Sequence, residues 1–353
     1  MALPPRSSAK RRPTMLDVAK LAGGVHPSTV SLVLRNSPNI SEATRKRVLA
    51  AVRKVGYRRD PLLDAYNHHR MGVIPHKTEP VIACVSDLDS REEAEQHEPY
   101  KSFLKGARAA AENLHCKLEL FLTGRGQLSP ERLNGILHAR GISSIVVMAL
   151  RSPAGRLAFT WEEFSAVKIE SPQISLPRLA VSTDQRQSAR LALNSLLDAG
   201  YMRIGLLLRP GSSLANRDML LAGHLLEQSR LPVGARIPPL LLPPSGDQRN
   251  LVRDWIHQHR IEAVIAESPS LNELMPQSGE APLTGFAVLD LSGTSEDLAG
   301  IMPDHERVGA QAIEQLVSLM RANQRGPAPT EACTYVPVKW RAGKTAPGFG
   351  TRC

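Results

Sequence analysis

Three stretches near the N-terminus decide the reading: residues 14–23, TMLDVAKLAG; residues 27–35, PSTVSLVLR; and residues 41–57, SEATRKRVLAAVRKVGY. Each has the marks of a short helix. In the first, Thr14 is an N-cap with Asp17 three residues on, a variant of the capping box. Leu16, Val18, Ala19 and Ala22 recur at helical spacing, and Gly23-Gly24 stops the run. In the second, Pro27 suits the first helical position, where its missing N–H would find no partner anyway. Val30, Val33 and Leu34 give it one apolar face. In the third, Ser41 caps, Val48, Leu49, Val52 and Val55 form the expected core stripe, and Gly56 ends the helix. Two short helices joined by a glycine turn, with a third packed across them, make a helix-turn-helix.

Charge supports a partner for this head alone. The chain has 353 residues and a net charge of +10. Residues 1–60 hold thirteen Lys/Arg and three Asp/Glu, so this segment alone carries +10, and the remainder is balanced. A basic head on a neutral body points to a polyanion met by the head. The second helix is slender and begins with small polar groups, which suits a major groove about 12 Å wide. Arg35, Arg45, Arg47, Arg53, Lys54, Arg58 and Arg59 are a reservoir for phosphate contacts, which position a protein on DNA but carry little sequence information.

The same three stretches resemble the head of lactose-repressor-type (LacI/GalR) transcription regulators. The resemblance implies that residues 1–57 are the DNA-binding domain with a basic tail. It places Pro27, Ser28 and Leu32 where the family reads bases and Thr29 and Ser31 near the backbone; Thr14, Arg35 and Arg45 complete the expected DNA-binding set. Gly23-Gly24 adds one residue to the family turn, and a glycine absorbs such an insertion. Leu32 stands where several relatives carry a polar reader; it either touches a thymine methyl or reads nothing. The linker, residues 58–78, matches a family segment that becomes a helix on DNA and wedges the minor groove. Asp60 and Pro61 would start that helix, and Tyr66 aligns with the wedge.

From residue 79 short apolar runs alternate with amphipathic stretches. Strands are expected at 80–87, 116–122, 143–150, 167–171, 178–184, 201–209, 237–243, 263–268 and 284–290, and helices at 100–115, 129–141, 187–200, 215–230, 248–260 and 305–323. Such alternation argues a parallel, helix-covered sheet, and its length suggests two lobes. The fold expected is therefore an N-terminal all-α helix-turn-helix head plus an α/β two-lobed periplasmic-binding-protein-like (type I) body at 79–340, with a C-terminal tail at 341–353. That tail, RAGKTAPGFGTRC, has no heptad pattern.

Ligands bind such sheets outside the carboxyl ends of the strands. The polar residues there are Ser86, Asp87, Ser182, Asp184, Ser268 and Asp290. By resemblance, Arg217 and Asp290 lie where relatives hold effector hydroxyls. A forked donor and a two-oxygen acceptor suit a polyol, so Asp87, Asp184, Arg217 and Asp290 are the expected effector residues and a carbohydrate the expected ligand. Glu267-Ser268-Pro269 and His305 depart from the family pattern. The expected partners are double-stranded operator DNA, the effector and a second copy of the chain.

Other classes find little support. Cys84, Cys116, Cys333 and Cys353 form no C-x-x-C pair, so no disulfide framework or zinc ribbon is expected. His257 and His259 point to different sides of one helix. No phosphate loop, nucleophile elbow or zincin motif follows a strand, so no cofactor, metal or enzymatic activity is expected. A transport protein would carry an export signal, and the basic N-terminus has no apolar segment behind it; no apolar run suggests a membrane span, and the cytoplasm is the default location.

Overall fold

The computed structural model describes residues 13–34, 40–57, 79–148, 150, 157, 159–171, 174–210, 214–276 and 285–348. Arg35, Tyr66, the whole linker and residues 349–353 lie outside the described residues. The chain divides into two compact units, at residues 67 and 68.

The first unit contains α1 (Met15–Leu21), α2 (Pro27–Leu34) and α3 (Glu42–Val55). The capping box at α1 is complete: the Asp17 amide donates to Thr14 Oγ1 at 3.3 Å, and the Thr14 amide donates to Asp17 Oδ2 at 2.8 Å. Gly23 and Gly24 both take positive φ, 91° and 73°. That left-handed pair turns the chain between α1 and α2 without a Cβ penalty. Ser41 caps α3, and Gly56, at φ 68°, closes it. Val18, Ala19, Ala22, Val30, Val33, Val48 and Ala51 form the core. Leu49 was expected there but is 38% exposed, and Ala51 takes its place. Three helices leave room for only a narrow seam, which the small Ala51 fills. Replacing Thr14 with alanine should cost the head about 1 kcal/mol by removing the cap; thermal unfolding of the head followed by circular dichroism measures it.

The second unit is two α/β lobes. Lobe 1 is built from β1 (Val81–Ser86), α4 (Arg91–Gln96), α5 (Tyr100–Asn113), β2 (Lys117–Leu122), α6 (Pro130–Ala139), β3 (Ser144–Val147), β4 (Ser165–Ile169) and β5 (Leu179–Thr183). Lobe 2 follows with α7 (Gln185–Asp198), β6 (Ile204–Leu208), α8 (Leu214–Gln228), β7 (Leu240–Leu241), α9 (Gln248–His259), β8 (Ala263–Ala266), β9 (Gly285–Val288) and β10 (Ala299–Met302). The chain then returns to lobe 1 for α10 (His305–Arg321) and β11 (Ala332–Val336), and crosses again for β12 (Lys339–Arg341). The sheet orders are β11-β5-β4-β3-β1-β2 and β12-β10-β9-β8-β6-β7. Every pairing is parallel except β10 with β12. The central strands β3, β6 and β8 are buried along their whole length, as helix-covered parallel strands must be.

All the strands and helices expected in the body are present, with two differences of extent. The segment 237–243 pairs only at Leu240–Leu241, because Pro238 and Pro239 have no N–H to give a ladder. The C-terminal segment, expected to be a separate tail, is part of lobe 2 through residue 348. The Phe286 amide donates to Thr345 O at 2.7 Å, Thr345 Oγ1 donates to Phe286 O and accepts from the Ala299 amide, and Tyr201 Oη donates to Pro347 O at 2.6 Å. Buried backbone groups at that end of the sheet require partners, and the segment supplies them. Its lack of hydrophobic pattern concealed this.

Trp161 and Trp255 are packing residues. Gly124, Arg125 and Gln127 form a loop tied to Asp89. Among the described residues, no helix is long and apolar enough to cross a membrane, and no cluster of His, Cys, Asp and Glu could hold a metal ion.

Candidate functional site

In the head, α2 exposes a polar edge. Val30 and Val33 are buried, while Ser28 and Leu32 face solvent and Thr29 and Ser31 are half-buried. Pro27 opens the helix, and the His26 carbonyl accepts from the Thr29 and Val30 amides. His26 Nδ1 lies 2.7 Å from Ser28 Oγ, fixing that hydroxyl at the helix start. Thr14 is engaged in its own cap: its hydroxyl donates to Asp17 Oδ2 at 2.7 Å. Arg45 is drawn toward Glu42, at 3.8 Å, and its side chain is only 17% exposed. Lys46 and Arg47 beside it are exposed. The pairing with Glu42 was visible in the sequence as an i, i+3 spacing.

In the body, the carboxyl ends of the strands bring together polar groups from both lobes. From lobe 1 come Ser86 at the end of β1, Glu170 just past β4, and Thr183 at the end of β5. The Glu170 carboxylate accepts from Ser182 Oγ at 2.9 Å and from the Thr183 amide. Burial pushes that carboxyl above the usual range, against the opposing pull of Thr183, Ser182 and His305. From lobe 2 comes Asp290, two residues past β9. It accepts from the Ser292 amide at 2.8 Å, and its Oδ2 lies 3.5 Å from His305 Nε2. Burial pushes the Asp290 carboxyl up, but His305 and Ser292 pull it down further, so it lies below the ordinary carboxylate value.

His305 is the first residue of α10, on the return to lobe 1. It is 7% exposed, and its ring stands edge-on to Phe103, 4.8 Å between centroids. The Asp290–His305 pair thus joins the lobes. Two other contacts do the same. Tyr335 of β11 donates to Met219 Sδ at 3.8 Å and lies under the Arg186 guanidinium at 5.0 Å. A Cβ at Gly293 would stand 3.3 Å from Glu98 Cγ, so the loop after β9 presses on lobe 1.

The expected effector residues divide in two. Asp290 and Arg217 carry groups with binding capacity, but not as a pair. The ionic neighbour of Asp290 is His305, and that of Arg217 is Asp218, at 3.9 Å. Asp184 is spent on structure: it caps α7, accepting from the Gln187 amide at 3.1 Å. Asp87 is half-buried at the end of β1. Ser268 stands at the start of a 3-10 turn, 3.0 Å from Ser270 Oγ, and is half-buried. Glu267 accepts from the Arg209 amide.

Sequence reasoning passed over Glu170, Thr183 and Glu98. Glu170 carried a signal, since it directly follows the strand sequence AVKI. Glu98 carried none, because a loop carboxylate looks solvated until the fold closes over it. Several buried polar atoms at these strand ends have no hydrogen-bond partner within the protein: Ser86 Oγ, Thr183 Oγ1, Glu98 Oε2, Arg217 Nε and His305 Nδ1. Buried polar groups are normally satisfied. A concentration of unsatisfied ones at the carboxyl ends of two facing sheets is what a polar ligand would complete.

Comparison with known proteins agrees with this arrangement. Residues 14–60 match the model of the family described as bacterial regulatory proteins, lacI family. The chain is 27% identical over 318 residues to the HTH-type transcriptional regulator CelR of Thermobifida fusca, covering 88% of this chain and 87% of the relative. Among solved structures, the fold is similar to a transcriptional regulator CelR–cellobiose complex, with TM-score 0.54, 18% identity, and coverage of 95% of this chain and 100% of the other. It is also similar to the lac repressor dimer bound to operator and the anti-inducer ONPF, with TM-score 0.53, 19% identity, and coverage of 95% and 99%. The residues matched to the lacI family contain the capped three-helix head, and the two parallel-sheet lobes that follow it are similar in fold to those of the solved regulators.

Proposed function

We propose that the protein is a homodimeric repressor that binds a pseudo-palindromic operator and is modulated by a small carbohydrate held between its lobes. The observation that carries the effector half is the set of unpartnered buried donors and acceptors at the strand ends. Hydroxyls of Ser86 and Thr183, the Arg217 Nε–H, the His305 ring and the carboxylates of Glu98 and Asp290 offer both donors and acceptors, which suits the alternating capacity of sugar hydroxyls. The DNA half rests on the exposed start of α2, in a head that carries the whole charge excess. Effector and operator binding would be linked reciprocally, by typically about 1–3 kcal/mol. A regulator of this kind works in the cytoplasm.

The test is selection of bound sequences from random duplex DNA by the intact protein, repeated with a sugar panel that begins with cellobiose, the ligand of the structurally similar CelR complex. One enriched two-fold motif whose yield changes with one sugar supports the proposal. No enriched motif would remove it.

Two substitutions separate the roles. Ser28→Ala should change the preferred bases, costing about 1–3 kcal/mol at the affected position. Equal weakening on all sequences would move base reading elsewhere. Arg45→Ala should weaken every sequence alike and lower the salt slope by about one. In the cleft, Arg217→Ala should abolish the sugar response while operator affinity, measured by titration in the absence of sugar, stays unchanged. An undiminished response removes Arg217 from the site.

A further inference from the structure

We propose that lobe 1 holds a second small-molecule site, away from the cleft, for an anion with a flat apolar body such as an aryl carboxylate. The site is a cavity of about 470 Å³ at the amino ends of β4 and β5, under the last turn of α10. Ligands of this fold sit at the opposite, carboxyl ends of the strands, so this cavity shares no wall with the cleft groups described above. Its size falls in the range of small-molecule pockets, roughly 300–1,000 Å³.

The lining divides into an apolar wall and a cationic rim. Trp161, Leu179 and Leu319 are on the wall, and Arg178, Asn323, Gln324 and Arg325 are the polar side chains. No carboxylate is among the lining residues. Trp161 is held rigidly, its ring edge-on to Phe159 at 5.2 Å. Arg178 is held as well: Nη1 donates to Ala328 O at 3.1 Å and to Pro329 O at 2.9 Å. Those two carbonyls fix the guanidinium plane but bring no opposite charge. A guanidinium has five donors and never loses its proton, and it binds a carboxylate through two parallel hydrogen bonds. A preorganised fork beside an aromatic wall therefore selects a planar anion over a neutral ring or a bare anion.

Saturation-transfer NMR on the full chain tests this with three probes: benzoate, benzyl alcohol and acetate. Benzoate should bind, with the neutral ring and the bare anion each weaker by at least about fivefold. Arg178→Met should reduce benzoate to the level of benzyl alcohol. Because Arg178 also ties down the 328–329 loop, a second variant is needed. Ala328→Phe keeps the guanidinium and fills the cavity, and should remove both aromatic probes. Absence of benzoate binding, benzoate no tighter than benzyl alcohol, or benzoate binding unchanged in both variants would overturn the assignment. None of these readouts depends on operator or sugar binding.

Discussion

Valine in place of Gly309 should lower the stability of the body by about 3 kcal/mol, which for a unit of this size is a fall in melting temperature of roughly 6–12 °C. The reason is the crossing of α5 and α10 in lobe 1. A Cβ at Gly309 would stand 2.1 Å from the Phe103 carbonyl oxygen, and one at Gly106 would stand 1.8 Å from the Glu306 carbonyl oxygen. Both obstacles are backbone, so no side chain can rotate away, and the helices would have to separate. Separation would open the seam formed by Phe103, Ala107, Ala110, Ala312 and Ile313, all buried. Gly135, in α6, is the control. It has nothing within 4 Å of its Cβ position, so Gly135→Ala should stabilise by up to about 1 kcal/mol through helix propensity. Calorimetry of the three proteins reads both signs. A Gly309→Val protein that melts with the wild type would mean the helices do not cross this closely. Since His305 opens α10, the same substitution should also loosen its contact with Asp290 and weaken effector binding along with stability.

The second large effect is a loss of stability in mild acid through His224. This residue sits on the inner face of α8, fully buried, with no hydrogen-bond partner for either ring nitrogen. Burial alone pulls its pKa down from 6.5 to about 4. The sign follows from proton counting. Below pH 6.5 the unfolded chain takes up a proton at this ring, and the folded chain does not until about pH 4. Stability therefore falls as pH drops through that window, by about 3 kcal/mol in total. Denaturant midpoints at pH 7 and pH 4.5, compared between wild type and His224→Leu, isolate this contribution, because carboxylates titrate alike in both. The variant should lose markedly less stability on acidification. Identical losses would show that the ring is already protonated, or solvated, in the fold. A pH effect on sugar affinity is a separate quantity and should track Glu170, whose carboxyl burial raises, and Asp290, whose carboxyl is held low.

What the sequence determined is whatever depends on neighbours along the chain. The capping box at Thr14 and Asp17, Pro27 at a helix start, Ser41 and Gly56 at the ends of α3, and the alternation of the body are local patterns, fixed by backbone hydrogen bonding and by side-chain spacing over one or two turns. The charge excess on residues 1–60 is equally a property of composition, and so the head and its polyanion partner could be read at once. Tertiary structure alone decided which polar residue meets which. Asp290 faces His305 because the chain returns to lobe 1 at residue 305, fifteen positions later and across a lobe boundary. Asp184, which looked equally available at a strand end, is consumed by a helix cap, and Glu98 is half-buried, with Oε2 covered, where the loop at Gly293 lies against it. Ala51 rather than Leu49 entered the core, and residues 342–348 became hydrogen-bonded to lobe 2, for the same reason. Burial and partnership are set by segments distant in sequence, and no local spacing encodes which of several chemically suitable groups a distant segment will reach first.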